Sequence, residues 1–74
     1  MSNVKEIDLN KFVKFKVTGI YRDGRRFRPL VYTNPSSAFS INLYALARDP
    51  ELRDSSVWGI TKDGKQKLLK RVYN

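Results

Sequence analysis

The side chains best suited to chemistry in this sequence are eleven cations and one phenol: Lys14, Lys16, Arg22, Arg25, Arg26 and Arg28 with Tyr21 in the first half, then Lys62, Lys65, Lys67, Lys70 and Arg71 close to the end. An arginine fork holds a phosphate or carboxylate by two hydrogen bonds and stacks on bases, whereas a lysine acts as a point charge. Tyr21, beside the arginine run, is placed to stack on an unpaired base, a contact worth about 1–3 kcal/mol. The formal charge of +8 is unevenly spread. Residues 11–28 carry seven cations against Asp23, a net +6, and residues 55–74 carry five against Asp63, a net +4, while residues 1–10 and 29–54 each stand at −1. Such segregation makes a directional field that attracts a polyanion. The same residues would also serve as solvated turns that keep an edge strand from aggregating, yet four arginines within residues 22–28 exceed what solubility requires.

What the sequence lacks narrows the chemistry further. With no His and no Cys, the usual transition-metal ligands, the commonest general base and the Ser-His and Cys-His nucleophile pairs are missing, which leaves Asp, Glu, Lys and Tyr as acid–base groups. The basic stretches hold no paired carboxylates, since Asp23 and Asp63 each precede a glycine and are turn formers first. No phosphate-cradling glycine loop, zinc spacing or calcium loop occurs. The expectation is a protein that is not an enzyme and takes no cofactor or metal. No apolar run approaches membrane-spanning length and residues 1–10 lack a signal-peptide core, so the expected location is cytoplasmic. The cations do not line a basic amphipathic helix, which disfavours a membrane surface as partner.

These cations need a scaffold, and one phrase written twice supplies it. Val17-Thr18-Gly19-Ile20-Tyr21-Arg22-Asp23-Gly24-Arg25 recurs 40 residues later as Val57-Trp58-Gly59-Ile60-Thr61-Lys62-Asp63-Gly64-Lys65. Asp-Gly tolerates the positive φ of a tight turn, and the flanking β-branched and aromatic residues suit strands, so each copy reads as a hairpin tip. In the first hairpin Val13, Phe15 and Val17 alternate with Lys14, Lys16 and Thr18, one face for a core and one for water. A two-residue Asp23-Gly24 loop sets Ile20 against Phe27 and Val17 against Leu30. The apolar phase then changes at Gly19 and near Arg28-Pro29, which predicts a bulge or bend there and a second strand that is an edge or is broken at Pro29. If Phe27 is buried, Arg26 and Arg28 both point outward. The second hairpin has two possible registers: a two-residue loop with Trp58 facing Leu69, or a three-residue loop with a bulged glycine and Trp58 facing Leu68. As the one tryptophan of a chain short of large apolar groups, Trp58 is expected in the core.

Between the hairpins, Asn34-Pro35-Ser36-Ser37 starts a helix, with Asn34 or Thr33 as its cap and proline in its first turn. Phe39, Leu43 and Leu46 stack along one side of it with Ala38 and Ala45, while Ile41 and Tyr44 lie off that face, at the core edge or on a partner surface. Pro50 ends the helix near Arg48, and Ser55-Ser56 leads into the second hairpin. The expected fold is α+β, a ββαββ chain with two β-hairpins in an antiparallel sheet and one helix packed across one face. Residues 12–74 form its single domain, after a loosely ordered lead-in over residues 1–11.

Ile20-Tyr21-Arg22-Asp23-Gly24-Arg25-Arg26-Phe27, Ser40-Ile41-Asn42-Leu43-Tyr44, Ser56-Val57-Trp58-Gly59 and Lys70-Arg71-Val72-Tyr73-Asn74 resemble small uncharacterised proteins encoded by tailed bacteriophages, over most of residues 12–74. The connection over residues 45–55 is longer than in that pattern. The resemblance implies a short protein acting in the cytoplasm of an infected bacterium and brings no activity with it. Two expectations follow. One is a small basic non-enzymatic nucleic-acid-binding protein, for DNA or RNA, that grips phosphates through the hairpin cations. The other is a phage-type protein that binds and modulates a host protein through an acidic surface on that host protein.

Overall fold

Turn chemistry sets the outline of the molecule, whose computed structural model describes residues 9–74. Gly24 and Gly64 take φ of 93° and 90°, a left-handed region that glycine enters without a steric penalty. Each donates its N–H three residues back, Gly24 to Tyr21 O and Gly64 to Thr61 O, both at 2.9 Å. Tyr21 N–H to Arg25 O at 2.7 Å and Thr61 N–H to Lys65 O at 2.8 Å close the two tips. Both loops thus hold three residues and end in a bulged glycine. This selects the register with Trp58 opposite Leu68 in the second hairpin. It also corrects the two-residue loop expected for the first, where Ile20 bridges Arg26 and not Phe27.

The elements run β1 (Phe12–Tyr21), β2 (Leu30–Tyr32), α1 (Pro35–Arg48), β3 (Leu52–Thr61) and β4 (Gln66–Tyr73). They form one antiparallel sheet in the order β2-β1-β3-β4, with α1 across one face, the ββαββ arrangement read from the sequence. Val17 does pair with Leu30, because the ladder slips by one residue between Phe27 and Leu30, where Pro29 has no N–H to give. The second strand is both an edge and broken at Pro29, as expected.

At the centre of the sheet Val17 lies opposite Val57. These are the first residues of the two copies of the repeat, so a local twofold axis passes between them and relates one hairpin to the other. Its consequence is that the tips lie at opposite ends of the sheet, the first beside Leu52, which pairs with Tyr21, and the second beside Phe12, which pairs with Thr61. The buried core is Phe15, Val17, Val57 and Ala38, with Phe12, Phe27, Tyr32, Phe39, Ile41 and Leu69 packed around it. The Phe27 ring covers the backbone of Gly19, and the Phe12 ring covers that of Gly59.

Three details differ from the sequence reading. The alternation of β1 runs unbroken through Gly19, so Ile20 stays on the lysine face opposite Asp54; the β1–β3 ladder shifts register just beyond, between Ile20 and Tyr21, where Arg53 is the extra residue on β3, and again at the other end at Val13, which is exposed. The helix, capped by Asn34 Oδ1 accepting the Ser36 N–H at 2.8 Å, buries Ala38, Asn42 and Leu46, while Leu43 and Tyr44 are exposed and Ile41 reaches the core. The cause is polar: Asn42 Nδ2 donates to Ser55 Oγ at 2.7 Å, and Ser55 donates to Thr18 O at 3.0 Å, which turns the Asn42 side of α1 toward β3. Asp49 caps the helix end, its N–H bonding Ala45 O at 3.0 Å and its carboxylate accepting the Glu51 N–H at 3.0 Å, and β3 starts earlier than expected, at Leu52. Within the expected lead-in, Leu9–Lys11 form a single 3-10 turn and Leu9 packs against the core; residues 1–8 lie outside the described residues.

Candidate functional site

With Phe15, Val17 and Val57 turned to the helix, the strand period sends their neighbours to the opposite face of the sheet, which no element among the described residues covers. Lys14, Lys16, Thr18 and Ile20 of β1 stand there beside Asp54, Ser56, Trp58 and Ile60 of β3, followed by Gln66, Leu68 and Arg71 of β4. Next to β1 the broken return limb contributes Arg26, Arg28 and Pro29. Together these residues enclose a groove of about 640 Å³. One wall holds Arg26, Arg28 and Pro29 with Lys16, the opposite wall holds Gln66, Leu68 and Arg71, and Thr18, Ile20, Asp54, Ser56 and Trp58 line the space between.

Trp58 is half-buried on this face and not in the core where composition had placed it. Its Nε1 donates to Thr18 Oγ1 at 3.0 Å, and its cross-strand neighbours are Lys16 on β1 and Leu68 on β4. The signal that locates it was present in the sequence: if Val57 faces the core, a strand must turn Trp58 outward. Asp54, with a side chain only 2% exposed, accepts at Oδ2 from Arg53 Nε at 2.8 Å and from Arg71 Nη2 at 3.5 Å. Burying a carboxylate this deeply is costly unless it is paired and hydrogen-bonded, as it is here. Arg71 also lies over the Tyr73 ring, 5.0 Å from its centroid, so it is held in the groove wall with part of its charge answered.

Of the twelve residues singled out in the sequence, Lys14, Lys16, Arg26, Arg28 and Arg71 share the open face. The other seven do not join them. Tyr21 lies on the helix side, edge-on to Phe27 at 6.5 Å and under the Arg25 guanidinium at 5.2 Å, so its ring is already engaged. Arg25 Nε binds Asp23 Oδ2 at 2.7 Å. Arg22 Nε donates to Pro50 O at 2.9 Å and its backbone N–H to Glu51 O at 2.8 Å, which ties the first tip to the turn between α1 and β3. Lys67 and Lys70 pair with Gly59 and Val57, so they leave from the helix side. Lys62 and Lys65 sit on the second tip, at the far end of the sheet, where Lys65 Nζ is 3.9 Å from Asp63.

The tips also differ in what holds their acids ionised. Asp23 is held below the ordinary carboxylate range first by the Arg25 backbone N–H and then by the Arg25 side chain, which is raised in turn by Asp23. Asp63 is lowered first by the Thr61 hydroxyl and then by the Lys65 backbone N–H. A second hollow of about 430 Å³ lies on the helix side, lined by Val17, Tyr21, Phe27, Leu30, Ile41 and Tyr44 among others. It is the more apolar of the two. Among the described residues no cluster of three or more acidic side chains could hold a metal ion, and no helix is long and apolar enough to cross a membrane. Comparisons with protein-family models, with characterised proteins and with solved structures give no match.

Proposed function

We propose that this protein binds nucleic acid without catalysing a reaction, and that it grips phosphates through the cations of its open sheet face. One observation carries the reading. Lys16, Arg26, Arg28 and Arg71 line a single groove whose one acid among the described residues, Asp54, is already ion-paired. Lys14 extends the positive surface along β1. This is a smaller and more localised grip than the whole set of hairpin cations, and it sets the expected salt dependence.

Four or five phosphate contacts would make log K fall against log salt with a slope of about −3 to −4. Fluorescence anisotropy with labelled single- and double-stranded DNA and RNA, at a low and a near-physiological salt concentration, tests this. A shallow slope would mean that the open-face cations do not meet phosphates. Failure of all four nucleic acids to bind at the lower salt would end the reading.

A further inference from the structure

We infer that the groove receives a single unpaired strand, with one base lying on the indole of Trp58 and the phosphates running along the wall of Lys16, Arg26 and Arg28; this rests on the nucleic-acid reading above. The first argument is what Trp58 has left to offer. Its polar edge is satisfied by Thr18 Oγ1 at 3.0 Å, and Lys16 and Leu68 flank it across the sheet. The side chain is only half-buried and lines the groove, so part of its ring is open to a ligand, and a ring already held in place loses little freedom when a base stacks on it.

The second argument is the asymmetry of the groove. The local twofold sets Arg26 and Arg28 in one wall against their counterparts 40 residues on, Gln66 and Leu68, in the other. One wall is therefore cationic and the other largely uncharged, apart from an Arg71 bonded to Asp54. A single strand has the matching asymmetry, with phosphates along one side and bases that can be turned to the other. A duplex keeps its bases stacked inside and presents phosphates on a convex outer surface. It would touch the groove rim and leave Trp58, Ile20 and Leu68 without a partner. The volume of about 640 Å³ lies within the range of roughly 300–1,000 Å³ typical of small-ligand sites. That is room for a nucleotide and not for a helix.

Trp58 is the sole tryptophan among four tyrosines, so tryptophan emission, excited at the red edge where tyrosine does not absorb, reports from the groove. An oligothymidine of about 12 nucleotides, a length within the usual single-strand site range, is titrated at low salt beside a mixed-sequence duplex of the same length. Expected are saturable quenching by oligothymidine, affinity at least about tenfold above that for the duplex, and a loss of about 5- to 150-fold in Trp58→Leu. Trp58→Phe, which keeps a ring, should recover most of that loss. Circular dichroism checks that the variants fold; if Trp58→Leu does not, quenching and the strand preference of the unmodified protein decide. Equal affinity for both probes with no change in tryptophan emission overturns the single-strand inference and leaves the nucleic-acid reading standing. No binding of either probe overturns the single-strand inference, and the nucleic-acid reading then rests on the RNA arms of the anisotropy titration.

Discussion

The two hairpins start from nine-residue stretches identical at five positions and diverge further in their return limbs. Both tips are three-residue loops closed by the same hydrogen bonds, and both carry a glycine on the helix face under an aromatic ring. After the first tip the chain meets Arg28-Pro29 and leaves the ladder, so β2 is only three residues long; after the second it returns as the eight residues of β4. The groove is made from these departures. Arg26 and Arg28 stand where the second copy has Gln66 and Leu68, and Trp58 stands where the first has Thr18, to which it is bonded. Local turn chemistry is thus repeated faithfully, while the candidate site draws on the positions at which the copies differ.

The largest expected effect separates the groove from the distant tip. Arg26→Glu with Arg28→Glu changes the net charge by the same amount as Lys62→Glu with Lys65→Glu. On the present reading the first pair lowers affinity for a single-stranded oligonucleotide about 100-fold, and the second by less than about threefold. Equal losses in anisotropy titrations would mean that net charge governs binding and the groove does not.

A smaller effect tests the equivalence of the two covered glycines. A methyl at Gly59 would come within 2.6 Å of the Phe12 ring, and one at Gly19 would fall against the Phe27 ring. Gly59→Ala and Gly19→Ala should each destabilise by about 1–3 kcal/mol, lowering the melting temperature by about 4–8 °C per kcal/mol in a domain of this size. If only one substitution is costly, the ring over the other glycine yields freely and the hairpins are not packed alike.

The turn acids give the smallest effect. Because Asp23 and Asp63 are lowered in the folded protein, each contributes stability above its unfolded value, and that contribution is lost as the pH falls through the folded one. Melts recorded below about pH 4 should decline modestly, and NMR titration should find both carboxyls below the ordinary range. Arg25→Ala should raise Asp23 only in part, because the backbone N–H remains, while Thr61→Val should remove the leading cause at Asp63.

Much of the architecture was legible because it depends on residues near one another in sequence. Asp-Gly specified both tips, Asn34-Pro35 the helix start, and Pro29 the broken edge. What was misjudged depends on partners far along the chain. Leu43 looked like a core residue by helical spacing, but the Asn42–Ser55 hydrogen bond turns that face of the helix toward β3 and leaves Leu43 outside. Trp58 was assigned inward by its size, and the pairing of β1 with β3 puts it outward. The same pairing separates the cations. Lys16 and Arg71 come to one face across β3, while Lys67 and Lys70, close to Arg71 in sequence, leave from the other side because their partners are Gly59 and Val57.

The seam between Val17 and Val57 also bears on how the molecule assembles. Each tip orders by contacts within a few residues, but the central pairing joins segments 40 residues apart and encloses β2 and all of α1. The entropy of that closure must be overcome before most long-range contacts can form. The tips are therefore expected to order early and the union of β1 with β3 to be the slow step. Substitutions at the two glycine turns, already ordered when the seam closes, should therefore change mainly the rate of folding, and those at the seam should divide between the folding and unfolding rates.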